Sequence, residues 1–370
     1  MLRNVSLLAL LLCFGLHCSS QPVQRMTSEA DGGILIGKPV TQNNLTIFPL
    51  YLKQAKDVPD YITLEEALSA KSVEVREVGA RRGEPSGQAP QRMQQPPQQS
   101  AQQGEELTEQ VTGGVVNAVE IENKSERSLY ILAGQVIIGG KQDRVLARDT
   151  IVPAGKKLQV EVCCVEHGRW SPRMQQGAVP VVGSLFSQSA GTSATCSVKA
   201  PMVLEGKEAQ GKVWTEVAKQ SKEMGAETPT GTYKEVIDKT EKTVTECVEA
   251  IEKSLGSDKE ICGFLACING VIETCDLFAS PKLLSKFRTQ LLRGYALDSI
   301  AAEKKEKIEE VTLTAAKEFI NDTVAAQKNA KTLLRDEYRR VDKIEGKCSI
   351  GVGNSAGAIE DAHMNMYRKK

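Results

Sequence analysis

Residues 115–165 constrain this chain more than any other stretch. VVNAVEIEN, SLYILAG, QVIIGG, RVLARDTIV and KLQVEVCCV follow one another with only short polar turns, such as NKSERS and PAGKK, between them. They are rich in valine and isoleucine, and apolar and polar side chains alternate along them. Period-two alternation gives each strand two faces, and the apolar face must be covered. An antiparallel sheet follows. Shorter strands precede it in ILIGKPV and NLTIFPLYL, from residue 34, and in VEVREV at 73–78. Between them YITLEEALSAKS reads as a short helix. Thr63 is its N-cap and Glu66, three residues on, completes a capping-box spacing.

Beyond residue 208 the period changes. QGKVWTEVAKQSKEMG is helical, and in YKEVIDKTEKTVTECVEAIEKSLG the residues Ile237, Thr240, Val244, Cys247, Val248 and Ile251 recur at helical spacing until Gly256. ICGFLACINGVIETCDLF follows. Asn269-Gly270 between two apolar runs predicts a two-residue type I′ hairpin. That turn places Cys262 and Cys275 diagonally on one face and Cys267 on the other, so a Cys262–Cys275 disulfide is the expected pair. Helical segments are expected from about 281 to 343, and a polar end, 344–370, with one last strand. Residues 171–200, small and polar, read as a long loop. The fold class is α+β: a largely antiparallel β-rich N-terminal half, then a helical half containing one β-hairpin.

Composition enters in three places. Aromatic residues are only 4% of the 370, so the core must be mostly aliphatic. The stretch 80–112 is glutamine- and proline-rich with almost no large apolar side chains. It cannot bury enough surface to offset the entropy of ordering, and reads as a disordered insertion. Lysine plus arginine and aspartate plus glutamate both number 47, a balance that gives no general attraction to nucleic acid or anionic membrane. The N-terminus has Arg3, the apolar run LLALLLCFGL and then small residues. This is the pattern of a secretory signal peptide over 1–20, too short for a membrane span. It implies a secreted or otherwise extracytoplasmic protein. Cys18 as a lipid-anchor residue is the weaker alternative, because His17 is an unusual neighbour for that chemistry. Eight cysteines remain after Ser20, an even number suited to disulfides in an oxidising compartment. No CxxC occurs and no zinc spacing is present, so no metal or cofactor is expected. Asn44-Leu45-Thr46 is a glycosylation sequon whose use is open.

Two stretches carry chemical potential. GQVIIGGKQDR resembles a phosphate loop, but the Gly-to-Lys spacing is off by one and the hydroxyl after the lysine is missing. What remains is a glycine turn beside Lys141, Gln142, Asp143 and Arg144. It is either a hairpin turn with solvated charges or a loop that holds an anion. CCVEHGRW, 163–170, ends a strand on which Leu158, Val160, Val162, Cys164 and Glu166 share one face. Cys163 and His167 share the other. Glu166, His167, Arg169 and Trp170 then lie at a strand end, where loop chemistry often resides. His167 reads either as structural or as a catalytic base.

GGKQDRVLARDTIVPAGKK followed by VEVCCVEHGRW resembles the ARG- and rhodanese-phosphatase-superfamily-associated protein domain, where ARG stands for ADP-ribosylglycohydrolase. YITLEEAL, GKVWTEV, PTGTY, GFLACINGVIETCDLF and LLRGYALDSI extend the resemblance. It covers residues 34–300 apart from the insertion, leaving 301–370 as a helical extension and C-terminal tail. The resemblance implies one domain and, through the family's name, nucleotide or ADP-ribose chemistry. Relatives often carry an acidic residue at the position of Gln135, and if that carboxylate is a catalytic base, the resemblance implies an inactive member or a binder. Three readings stay open. The first is an exported domain that binds an anionic, phosphate-bearing ligand or a protein partner through Lys141, Gln142, Asp143, Arg144, Arg169 and Trp170. The second is a hydrolase-like enzyme on a nucleotide or ADP-ribose derivative, with Glu166 or His167 as base. In the third, both motifs form a buried ion-pair network. Solvent access to Arg144, Glu166 and His167 discriminates between them.

Overall fold

The computed structural model describes residues 28–78, 118–169, 185–193, 206–302, 305, 307–327, 331–335, 339–344, 347–353 and 361–368. The expected signal peptide, the glutamine-rich insertion at 80–112 and Trp170 lie outside these. The architecture is α+β, with antiparallel sheets through the N-terminal half and most of the helix in the C-terminal half.

The first sheet begins with β1 (Ser28–Ala30), β2 (Ile34–Ile36), β3 (Val40–Gln42) and β4 (Leu45–Leu52). A second set forms a closed six-stranded barrel. Its members are β6 (Val73–Glu77), β7 (Ala118–Asn123), β9 (Gln135–Gly139), β10 (Arg144–Leu146), β12 (Lys157–Cys164) and β13 (Leu185–Ser193), in the order β10-β12-β7-β6-β13-β9 with β9 returning to β10. Closure removes free edges. The inward set includes Val73 and Val75 of β6, Val119 and Ile121 of β7, Ile137, Leu146, Val160 and Val162, all buried in one aliphatic cluster. A small sheet of β5 (Ile62–Thr63), β8 (Leu129–Ile131) and β11 (Thr150–Val152) covers one end of it, with α1 (Leu64–Ser69) alongside. The capping box of α1 is formed: Glu66 N donates to Thr63 Oγ1 at 3.1 Å and Thr63 N to Glu66 Oε2 at 2.8 Å. The NKSERS turn is organised by the buried Asn123, whose amide donates to Arg127 O and Val152 O.

Strand β13 lies where small, polar residues predict a loop. LFSQSAGTS has little strand propensity, and its pairing with β9 is irregular. Its neighbours in the barrel make it a strand, a tertiary override of local preference.

The second half contributes α2 (Gly206–Glu223), α3 (Tyr233–Leu255), the hairpin β14 (Gly263–Ile268) and β15 (Val271–Phe278), α4 (Pro281–Ala301) and α5 (Leu313–Gln327). The turn is as predicted, with Asn269 and Gly270 both at positive φ, 52° and 77°. Its register is not. Cys267 faces Ile272 but Ala266 faces Thr274, so Glu273 is bulged out. The extra residue sets Cys275 opposite Leu265 and brings Cys262, Cys267 and Cys275 into one apolar cluster. The expected Cys262–Cys275 disulfide is not present, and both are free thiols. So are Cys163, Cys164, Cys247 and Cys267.

The hairpin joins the first sheet through β4, and the chain's end continues that sheet. β16 (Lys331–Arg335), β17 (Arg339–Ile344), β18 (Lys347–Gly353) and β19 (Asp361–Arg368) complete the order β1-β2-β4-β14-β15-β19-β18-β17-β16, with β3 also on β4. Here the expected helix to 343 and single last strand are corrected to four strands. KTLLR and RRVDKI are short and basic and carry no clean period. A ladder that starts from β15 through β19 makes them strands. No described helix is long and apolar enough to cross a membrane. The sequon residue Asn44 is buried, with its amide donating to Ser299 O at 2.9 Å.

Candidate functional site

Both motifs meet at one mouth of the barrel. On β10, Arg144 shares the inward face with Leu146 and opposes Cys164 on β12 and Ile137 on β9. Its guanidinium is fully buried. Nη2 donates to both carboxylate oxygens of Glu77 at 3.3 and 3.2 Å, and Nη1 to Gln142 Oε1 at 3.3 Å and to the Cys164 thiol. Glu77 ends β6 one step beyond Val73 and Val75, so its inward placement follows from the alternation. Burial raises the Cys164 thiol to about 11, although Arg144 pulls it down, and lifts its neighbour Cys163 to about 12. Neither is a thiolate nucleophile near neutral pH.

Asp143 points to the other side and organises a second set. Its Oδ1 accepts from Gly139 N at 3.1 Å and Arg169 Nη2 at 3.2 Å, and its Oδ2 from Thr232 Oγ1 at 2.9 Å. Arg169 Nη2 also donates to Glu166 Oε2 at 2.6 Å, and its Nη1 to Gly140 O at 2.9 Å. The same Glu166 oxygen accepts from Asp143 N at 3.1 Å. Gln142 Nε2 donates to Glu166 O at 2.7 Å. Asp143 and Glu166 are 0% and 1% exposed, so neither carboxylate is open to solvent.

The remaining family-like pieces converge here. Thr232, of PTGTY, N-caps α3 by accepting from Lys234 N, while its hydroxyl donates to Asp143. Gly168 N donates to Thr230 O at 2.8 Å, and a Cβ on Gly168 would lie 2.8 Å from Pro229 O and 2.9 Å from Thr230 Cα. Only glycine fits that approach. From α2, Gln210 pairs with Cys164 N and O at 2.8 and 2.9 Å, and Trp214 meets the His167 ring edge-on, with centroids 4.4 Å apart.

The arrangement can be read as electrostatics. Two guanidiniums, Arg144 and Arg169, face three carboxylates, Glu77, Asp143 and Glu166, for a formal sum of −1. The backbone N–H groups of Gly139 and Lys141, which a phosphate loop would aim at a ligand, donate instead to Asp143 and Glu77. Of the sequence candidates, Gln142, Asp143, Arg144 and Glu166 are buried together, Lys141 and Arg169 are half-buried, and His167 is exposed. Glu77 and Thr232 were not legible as partners, because nothing in VEVREV or PTGTY marks a residue that will face an arginine 67 positions on or an aspartate 89 positions back. Gln135 is buried, its Oε1 accepting from Leu132 N at 2.9 Å and its amide donating to Gln290 Oε1 at 3.3 Å.

A second polar cluster was missed altogether. His363 of β19 is 2% exposed, between Asp149 (Nδ1 to Oδ2, 2.5 Å) and Asp276 (Nε2 to Oδ1, 3.1 Å). Tyr130 OH and Ala133 N donate to Asp149, and Tyr295 OH and the Asn365 amide to Asp276. The imidazole stacks on Phe278 with centroids 4.1 Å apart. Burial pushes its pKa down, but the two carboxylates outweigh burial and hold it at about 9. His363 is therefore an imidazolium at neutral pH.

Among the described residues no group of three or more His, Cys, Asp or Glu side chains is arranged to hold a metal ion. Neither the curated proteins nor the solved structures include a match to this chain. The model of one domain family matches residues 33–359, taking in the barrel, both motifs, the hairpin and most of the C-terminal strands. The chain belongs to the ARG and Rhodanese-Phosphatase-superfamily-associated Protein domain family.

Proposed function

We propose that the protein is an exported, non-catalytic interaction domain in which GGKQDR and CVEHGRW act as a buried clasp. The clasp closes the barrel mouth and ties it to α2 and α3. One observation carries this: Arg144 is 0% exposed and chelates Glu77, while Asp143 and Glu166 are held on Arg169. A base must reach its substrate's proton, and a phosphate site needs surplus positive charge. The clasp offers neither. Support for export is the leader-like pattern of residues 1–20.

A second reading keeps hydrolysis of a nucleotide or ADP-ribose derivative, with the base at His167 rather than Glu166. It rests on the exposure of His167 and its edge-on contact with Trp214. One experiment separates the two. Thermal unfolding of the protein is followed with nucleotides, ADP-ribose, sugar phosphates and divalent metals, for wild type, Arg144→Ala and His167→Ala. The clasp reading expects no ligand shift, and a loss of about 3–5 kcal/mol in Arg144→Ala, where Glu77 is left buried without its partner. A ligand that raises the melting temperature of wild type and not of His167→Ala would overturn it.

A further inference from the structure

An open groove of about 540 Å³, lined by no clasp residue, runs between the hairpin tip and α5. Its floor is apolar: Ile272 from β15, Val311, and Ala315 and Phe319 from α5. Its rim is acidic: Glu309, Glu310, Glu318 and Asp322. Among the described residues no lysine or arginine lines it. Glu309, Glu310 and Glu318 are exposed, and no ion pair links them to a described residue. Ala315, Glu318, Phe319 and Asp322 recur at helical spacing, so one face of α5 supplies a wall of about two turns, roughly 10 Å long. Ile308, next to the rim, is 39% exposed and is the one large hydrophobic residue so open among the described residues. The tip is held in place by Gly270, where a Cβ would come within 2.2 Å of Glu309 O.

We infer that this groove docks a basic amphipathic peptide segment of a partner protein. The apolar floor takes one or two aliphatic side chains, and flanking lysines or arginines meet the rim. An extended segment of three or four residues spans a 10 Å wall, at about 3.3 Å per residue. The charge excludes the anionic alternatives: a rim of four carboxylates repels phosphate groups and acidic lipid. An apolar floor gives a hydrated inorganic cation nothing to replace its water. This inference supplies the interaction reading with a surface, and it rests on that reading only in assuming that the domain works by binding.

The test uses the full chain and fluorescence anisotropy with three labelled peptides: alternating Leu and Lys, alternating Leu and Glu, and alternating Ser and Lys. Wild type is compared with a triple variant, Glu309→Gln, Glu310→Gln and Glu318→Gln. Wild type is expected to bind the Leu/Lys peptide at least about tenfold more tightly than the other two, and than the triple variant does. Added salt should weaken that binding, as exposed charge pairs are screened. The three substitutions are on exposed side chains, so an unchanged melting temperature shows the variant to be folded. Equal affinity of wild type and variant, or no binding of Leu/Lys by wild type, would overturn the proposal. So would a concentration-dependent dimer of wild type that the triple variant abolishes, because the occupant would then be a second copy. No clasp residue is altered, so failure here is separate from failure of the clasp experiment.

Discussion

Substituting His363→Gln tests the buried imidazolium quantitatively. In the folded chain its pKa is about 9, against an ordinary value of 6.5. A cationic group whose folded pKa is raised contributes its full stabilisation below the unfolded value, and loses it as pH rises through the folded one. At 1.36 kcal/mol per tenfold change in proton affinity, a shift of that size corresponds to about 3 kcal/mol. The contribution should be about 3 kcal/mol at pH 6, somewhat smaller at pH 7 and close to zero at pH 9.5. Glutamine keeps some hydrogen-bonding capacity but cannot carry the proton, and it also loses the stacking on Phe278, an offset that does not change with pH. The assay is urea unfolding by circular dichroism at several pH values, for wild type and variant, taking the difference at each. Subtraction removes the titration of all other groups. The wild-type advantage should shrink by about 3 kcal/mol between pH 6 and 9.5. A difference flat to within about 1 kcal/mol would refute the reasoning, because His363 would then be neutral between its two aspartates.

Four further outcomes follow from the geometry. Glu77→Gln removes the carboxylate that compensates the buried Arg144, and denaturant titration should record a loss of about 3–5 kcal/mol. Gly168→Ala drives a methyl group against the backbone of Pro229 and Thr230, which should cost about 1–3 kcal/mol in the same titration. Cys163, Cys164, Cys247, Cys262, Cys267 and Cys275 are buried, and burial raises each thiol. Brief alkylation of the native protein followed by peptide mapping should leave all six unmodified, and label them in denaturant. Thr63→Ala removes the capping box of α1 and should lower stability by about 1 kcal/mol, read from thermal unfolding.

Local signals made the central strands, α1 and α3 legible, as well as the Asn269-Gly270 turn. Each is written in a short window: period-two valines in VEVREV, Thr63 and Glu66 three apart, two residues able to take positive φ. The bulge at Glu273 was not legible, because the turn alone specifies an unbroken ladder. Of strands β16 to β19 only a single last strand within 344–370 was expected, because the ladder that orders them starts from β15. The two motifs were legible as the parts of one assembly, but not as a buried one. A sequence of charged residues at a strand end looks like a solvated site unless the partners are known. Glu77 reaches Arg144 across 67 positions, and His363 reaches Asp149 across 214. Neither aspartate of the second cluster stands in a motif, and a lone histidine near a chain's end carries no local mark of its partners.

Strands β6 and β7 are antiparallel neighbours in the barrel, with Glu77 opposite Val119. The two ends of the excursion between them therefore lie about 5 Å apart, like the ends of an ordinary hairpin turn. Between Glu77 and Ala118 the chain has roughly forty residues where four would suffice, and closure entropy grows only with the logarithm of length, so the excess costs about 2 kcal/mol. The β6–β7 ladder therefore does not depend on the length of the chain that joins its strands. A chain with a four-residue linker in its place should fold to the same barrel, and sequence of any composition could be carried there. Glu77, the last ladder residue of β6 before the excursion, is also the carboxylate that neutralises Arg144.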